Sequence, residues 1–286
     1  MRSGVDDSPT VRLPDFIIVG AMRCGTTSLS NFLGRQPRIG IARSKELHHF
    51  DRQYESGLDS YARHFEQFEE PVVGEATPNY LYRPEVPARI ADDLPNVKLV
   101  TILREPLRRT QSHYWHRVAR DDEPLPFLEA LQAEDDRLAD PQRSFPELVA
   151  YIDRSRYGAQ LRRYRRLFRS DQMRVIVLEE IDLDPVGQLT SVLAWLDPDG
   201  PNPNVVSSMW PRRDNSYIRF RSQRLRILAR LAPGVVGRAL GSVNAVRQPY
   251  PAMDAAAEAF IRSRLREDRK MLEELLGRSV DVWPPL

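Results

Sequence analysis

The 286 residues carry 42 basic and 40 acidic side chains, a formal net charge of +2, with 41% hydrophobic and 29% charged residues. That composition fits a globular chain with one large α/β domain or a core plus a cap, and it excludes a disordered protein. The longest apolar runs are about five residues against the ~20 needed to span a bilayer, which excludes an integral membrane protein.

The charge balance argues against a general nucleic-acid binder, which carries a net basic stripe. Lys45, Lys98 and Lys270 are the only lysines, so 39 of the 42 basic residues are arginine. Cys24 is the one cysteine, which excludes an internal disulfide and a multi-cysteine zinc site. Residues 1–12 are polar and lack the apolar stretch of a secretory signal. They are expected to be a disordered start to a cytoplasmic protein whose residues 13–286 form a single domain.

In chain order, residues 15–20 (DFIIVG) predict a short buried strand, then a glycine-bounded turn and a helix over about 26–35. The same step recurs at 97–104, followed by a helix over about 106–120 that opens on Pro106, a residue suited to the first helical turn. A third strand is expected at 173–178, with a helix at 185–196. Strands alternating with helices, and no hairpin signal, predict a parallel sheet covered on both faces, an α/β fold of three layers. Ligands in such sheets bind beyond the carboxyl ends of the strands. Residues 197–216 read as a proline- and asparagine-rich loop, and helices over about 219–231 and 254–276 form a helical C-terminal extension.

The first turn, Gly20-Ala21-Met22-Arg23-Cys24-Gly25-Thr26-Thr27-Ser28, carries the chemistry. Its glycines permit a tight turn, and the N–H groups opening the helix aim at an anion. Thr26, Thr27 and Ser28 add hydroxyl donors. The pattern nearly matches the nucleoside-triphosphatase loop, but Thr26 stands where that loop needs its lysine, and the basic residue is Arg23. The second strand ends in Arg104 where a magnesium-holding acid is expected. Both features count against a kinase. Arg104 and Ser112, eight residues apart, form a second candidate anion site spanning a sheet edge and the next helix.

Together, Arg23-Cys24-Gly25-Thr26-Thr27-Ser28-Leu29 and Leu103-Arg104-Glu105-Pro106 through Ser112 resemble the two cofactor signatures of sulfotransferases that use 3′-phosphoadenosine 5′-phosphosulfate. The likeness is to the heparan-sulfate glucosaminyl type and its bacterial relatives. It continues through Lys45-Glu46-Leu47-His48-His49-Phe50-Asp51, Gly74-Glu75-Ala76-Thr77-Pro78-Asn79-Tyr80-Leu81, the segment from Tyr157, and Leu272 to Gly277 with Trp283. The resemblance implies a P-loop-like fold with Arg23, Cys24, Gly25, Thr26, Thr27 and Ser28 on the 5′-phosphosulfate. It implies Arg104 and Ser112 on the 3′-phosphate, Tyr157 beside the nucleotide, Glu46 as general base and no metal. His48 is the rival base or a partner of Glu46. Arginine replaces the glucosaminyl enzymes' lysine at Arg23, and Ala76 stands where some of them place a substrate-contacting lysine, so their acceptor does not transfer.

Sulfuryl transfer makes the demands of phosphoryl transfer: in-line geometry and charges placed where the transition state needs them. Arg23, permanently charged, is expected to clamp the leaving phosphate. Glu46, next to Lys45 and an aromatic–histidine run, is expected to have a raised pKa useful in a base. The acceptor is expected to be a hydroxyl, with an amine as the lesser option, of a small molecule or a glycan- or lipid-linked group. A P-loop nucleotide kinase and a non-catalytic nucleotide-binding module are the competing readings. His113 and His116 lie i, i+3 on a helix without an evident third metal ligand.

Overall fold

The computed structural model describes residues 12–200, 205, 207–211, 216–220, 222–232 and 245–286. The expectation for the polar N-terminus lies outside these residues, apart from Arg12. Two compact units emerge. The first comprises Met1–Arg104, Tyr157–Pro211 and Leu272–Trp283; the second comprises Glu105–Arg156, Arg212–Met271 and Pro284–Leu286.

The first unit is built on a five-stranded, all-parallel sheet of order β2-β3-β1-β4-β5. Its strands are β1 (Phe16–Gly20), β2 (Ile39–Ile41), β3 (Val72–Ala76), β4 (Lys98–Leu103) and β5 (Met173–Val177). Every residue of β1 is buried, and β4 is buried after its first residue. A strand covered on both faces reads as a continuous apolar run, which is why these two were legible. Helices α1 (Thr26–Leu33), α2 (Val86–Asp93), α4 (Tyr157–Arg165) and α5 (Pro185–Leu196) belong to this unit. Their apolar faces join β1 and β4 in one core that includes Phe16, Ile18, Leu29, Phe32, Tyr164 and Leu189.

Chain order sets the site. From β1 the chain moves outward to β2, whereas from β4 it moves to β5 on the opposite side. The carboxyl ends of β1 and β4 therefore flank the topological switch point, where open parallel sheets hold ligands.

The second unit opens with α3 (Pro106–Val118), whose N-cap Glu105 accepts from the N–H groups of Leu107 (3.1 Å) and Arg108 (2.7 Å). Its core gathers Leu107, Tyr114, Leu131, Tyr151, Ile152 and Ile261. A fully buried Arg109 lies inside it, donating to Ser155 Oγ at 2.6 Å and to the Tyr151 carbonyl. The C-terminal third differs from expectation. Instead of a helix from residue 219, β6 (Ser216–Phe220) pairs antiparallel with β7 (Ala245–Pro249), and helix α6 (Gln223–Leu231) follows β6. The 24 residues between the two strands hide the pair from any short-turn signal. The long helix, α7, spans Ala255–Leu276 as expected.

Candidate active site

The turn after β1 is shaped by close packing. A Cβ at Gly20 would meet Leu81 Cβ at 2.6 Å, so only glycine admits that contact. Gly25 has φ +97° and caps α1, and a Cβ there would lie 3.1 Å from Leu178 Cδ1. No side chain caps α1, so its first-turn N–H groups, which lack intrahelical acceptors, are left for a ligand. Thr26 is buried, Ser28 half-buried and Thr27 exposed at this helix mouth. The turn thus gathers N–H and hydroxyl donors at one helix start, a donor set of the kind a phosphosulfate needs.

Arg104, at the end of β4, is buried and reaches the turn directly, its Nη1 donating to the Arg23 carbonyl at 3.5 Å. Tyr157 is fully buried at the start of α4. Its hydroxyl donates to the Arg104 carbonyl at 2.9 Å and lies 3.4 Å from Cys24 Sγ. Tyr157 therefore ties the turn to the end of β4 from beneath, and its ring packs 6.1 Å from Trp283. Ser112 lies in the second unit, buried on α3 with its Oγ 3.1 Å from the Tyr250 hydroxyl. Arg212 and Arg213 fall outside the described residues.

A cleft of about 480 Å³ lies beside the turn in the first unit. Its lining includes Thr26, Thr27, Lys45, Glu46, Ala76 and Pro78. Ala76, the missing lysine, leaves this wall apolar.

Glu46 sits in a chain of charge. Its Oε2 is 3.6 Å from His48 Nε2, while Lys45 Nζ is 3.8 Å from Oε1. His48 Nδ1 faces Asp51 Oδ2 at 3.0 Å, and Asn79 Nδ2 donates to the same oxygen at 2.5 Å. Hydrogen bonding to Asp51 and then Glu46 pushes the His48 pKa up to about 9, so the ring is cationic at neutral pH. The partnership with His48 holds the Glu46 pKa below its usual value against partial burial. The expectation of a raised Glu46 pKa is therefore reversed, because the neighbouring histidine is a cation rather than an apolar wall. His48, already protonated, is not available as a base near pH 7. At Asp51 burial favours the neutral acid, but His48 and Asn79 outweigh it and the pKa is lowered.

Asp51 was absent from the expected site residues. Its signal in the sequence was the i, i+3 spacing from His48 in Lys45–Asp51, which one helical turn (His49–Arg52) converts into a contact. Beneath it, Thr77 donates to the fully buried Glu75 at 2.6 Å and lies 3.5 Å from the His48 N–H. Tyr61 also donates to Glu75, whose pKa burial raises to about 7. His49 is buried and stacked on Tyr61, a packing role. His113 packs against Tyr151 in the second unit, and no group of three or more metal-ligating side chains occurs among the described residues.

Backbone conformation marks the same places. Among the described residues four non-glycines have positive φ, and three of them are Arg23 (69°), Glu46 (56°) and His48 (55°). Such conformations cost about 1–3 kcal/mol each and concentrate at functional sites.

The site thus brings together a parallel sheet, a donor-rich turn at its switch point and a carboxylate on the adjoining cleft. The crystal structure of a sulfotransferase from Alicyclobacillus acidocaldarius matches with a TM-score of 0.72 and 27% identity, over 96% of this chain and 99% of that one. Heparan sulfate glucosamine 3-O-sulfotransferase 3A1 of Homo sapiens is 29% identical over 191 residues, 66% of this chain and 46% of the relative. The membrane-associated sulfotransferase kil1 of Dictyostelium discoideum is 40% identical over 106 residues, 36% of this chain and 22% of the relative. No family model matches. The chain spans less than half the length of these curated relatives. In sequence and in fold, the chain is similar to sulfotransferases.

Proposed function

We propose that this chain moves a sulfuryl group from 3′-phosphoadenosine 5′-phosphosulfate to an acceptor hydroxyl, with Glu46 as general base. The observation that carries the reading is one cleft lined both by Thr26 and Thr27 at the start of α1 and by Glu46. When bound, the donor supplies the sulfuryl group and a phosphate leaving group. The first-turn N–H groups of α1, with Thr26, Thr27 and Ser28, bind and orient its phosphosulfate end. Arg23 balances the charge that grows on the leaving phosphate, and a guanidinium does so without giving up a proton. Glu46 takes the proton of the attacking hydroxyl as the new S–O bond forms and the donor's S–O bond breaks. His48, held cationic by Asp51, fixes Glu46 in its charged form and orients it.

Arg104 and Ser112 are assigned to the 3′-phosphate, and Tyr157 supports the turn through Arg104 and Cys24. The relatives' names describe glucosamine acceptors on heparan sulfate. A glycan-like or small-molecule hydroxyl, with an amine as the lesser option, is inferred here on that analogy. The catalytic apparatus described uses no metal, and the lone buried Cys24 suits a reducing, cytoplasmic setting.

The experiment is turnover of the phosphosulfate donor over a panel of hydroxyl and amine acceptors, for the native chain and Glu46→Gln. Donor-dependent sulfation that falls by ~10²–10⁴-fold in the variant, with nucleotide binding kept, supports the reading. Undiminished turnover in Glu46→Gln removes Glu46 as base, and magnesium-dependent ATP turnover in place of sulfation removes the reaction.

A further inference from the structure

Helix α6, nine residues in the second unit, presents an apolar face to solvent that no part of the sulfuryl-transfer reading uses. Nine large hydrophobic side chains are exposed among the described residues, and four of them, Leu225, Ile227, Leu228 and Leu231, lie on this one helix. Leu231 is 77% exposed and Ile227 57%. At 3.6 residues per turn the four span an arc of about 160°, and the exposed Arg224 falls within the same arc. Ser222 caps the helix, its hydroxyl accepting from the Leu225 N–H at 3.3 Å. The helix is therefore ordered by its own cap while its apolar face stays uncovered. Exposed apolar patches of this kind mark interaction surfaces.

Charge selects the occupant. Between Asp214 and Asp254 the sequence contains no acidic residue and seven arginines, at 219, 221, 224, 226, 230, 238 and 247. The whole chain nets only +2, so this stretch holds a concentrated positive charge. A second copy of the chain would bring seven more arginines and no carboxylate against the first seven, which disfavours self-association through this face. Nucleic acid would satisfy the arginines but leave the leucines in water. A surface that is anionic above and apolar just below satisfies both, because leucines enter the acyl boundary while arginines reach headgroup phosphates.

We propose that α6 docks the protein on the surface of an anionic phospholipid bilayer, lying in the plane of the interface. The site is separate from the nucleotide turn and does not depend on the reaction assigned to it. The test is cosedimentation of the full chain with vesicles of phosphatidylcholine and phosphatidylglycerol, beside vesicles of phosphatidylcholine alone. The expected result is binding to the anionic vesicles that weakens in high salt. It should fall at least about tenfold in the exposed-face variant Leu228→Ser/Leu231→Ser, the loss of roughly one buried leucine's worth of transfer. Melting followed by circular dichroism should be unchanged in that variant, and Arg224→Gln/Arg230→Gln should also weaken binding with the apolar face intact. Absence of binding to anionic vesicles, equal binding to neutral ones, or undiminished binding by the leucine variant would overturn the proposal. So would a dimer in light scattering that the leucine substitutions dissolve.

Discussion

Glu46 and His48 make a pair whose protonation is set by the pair rather than by either residue. Hydrogen bonding to His48 lowers the Glu46 pKa, and His48 is a cation up to about pH 9. Turnover should therefore show a broad plateau, with an acid limb below the ordinary carboxylate pKa and an alkaline limb near 9, read from kcat/KM against pH. Asp51→Asn removes the group that does most to hold the proton on His48, so the alkaline limb should move toward neutral pH while nucleotide affinity is kept. An unmoved limb in that variant would detach Asp51 from the site.

Stability follows the same groups. His48 has a folded pKa above its unfolded value, so its contribution is full below about 6.5 and is lost as pH rises through about 9. Glu75, buried with a pKa near 7, acts in the same direction at lower pH. The charged form is the costly one, so stability drains between its unfolded value of about 4.5 and 7. Glu75→Gln keeps the size and should raise the melting temperature at pH 8 relative to the native chain while leaving pH 4 little changed. An identical pH dependence in both proteins would mean that Glu75 is not the titrating group.

At the scale of elements, the turn after β1 is the unit that matters. Gly25→Ala forces a Cβ toward Leu178 at a left-handed backbone position, and should cost about 1–3 kcal/mol along with nucleotide affinity. Tyr157→Phe leaves the Arg104 carbonyl without its buried donor, a loss of about 1–3 kcal/mol measurable in denaturant unfolding. The elements readable in the sequence were β1, β4, β5, α1, α3, α5 and α7, from apolar runs, helix starts or helical periodicity. Strand β2 is three residues with a central glycine, Ile39–Ile41, and β3 ends in Gly74, Glu75 and Ala76. Neither carries a pattern of its own: β3 owes its strand conformation to pairing with β1, and β2 to pairing with β3. The β6–β7 pair was invisible for the opposite reason, its partners lying far apart in sequence. Of the candidate site, the turn after β1 and Glu46 stood out in the sequence because of their unusual residue types. The sign of the Glu46 shift did not, because it depends on an Asp51–His48 contact made only when residues 49–52 coil into a helical turn.

For the whole molecule, the proposed function requires the switch point of the sheet to hold an anionic nucleotide that carries a 3′-phosphate. The direct test is a thermal-shift titration with 3′-phosphoadenosine 5′-phosphate, run beside ATP with magnesium. Ligand at ~100 times its dissociation constant adds about 2.7 kcal/mol, or several degrees at ~2–4 °C per kcal/mol. The account predicts a rise with the bisphosphate alone, lost in Arg104→Ala. A rise with ATP and magnesium alone would contradict it and return the chain to the nucleotide kinases.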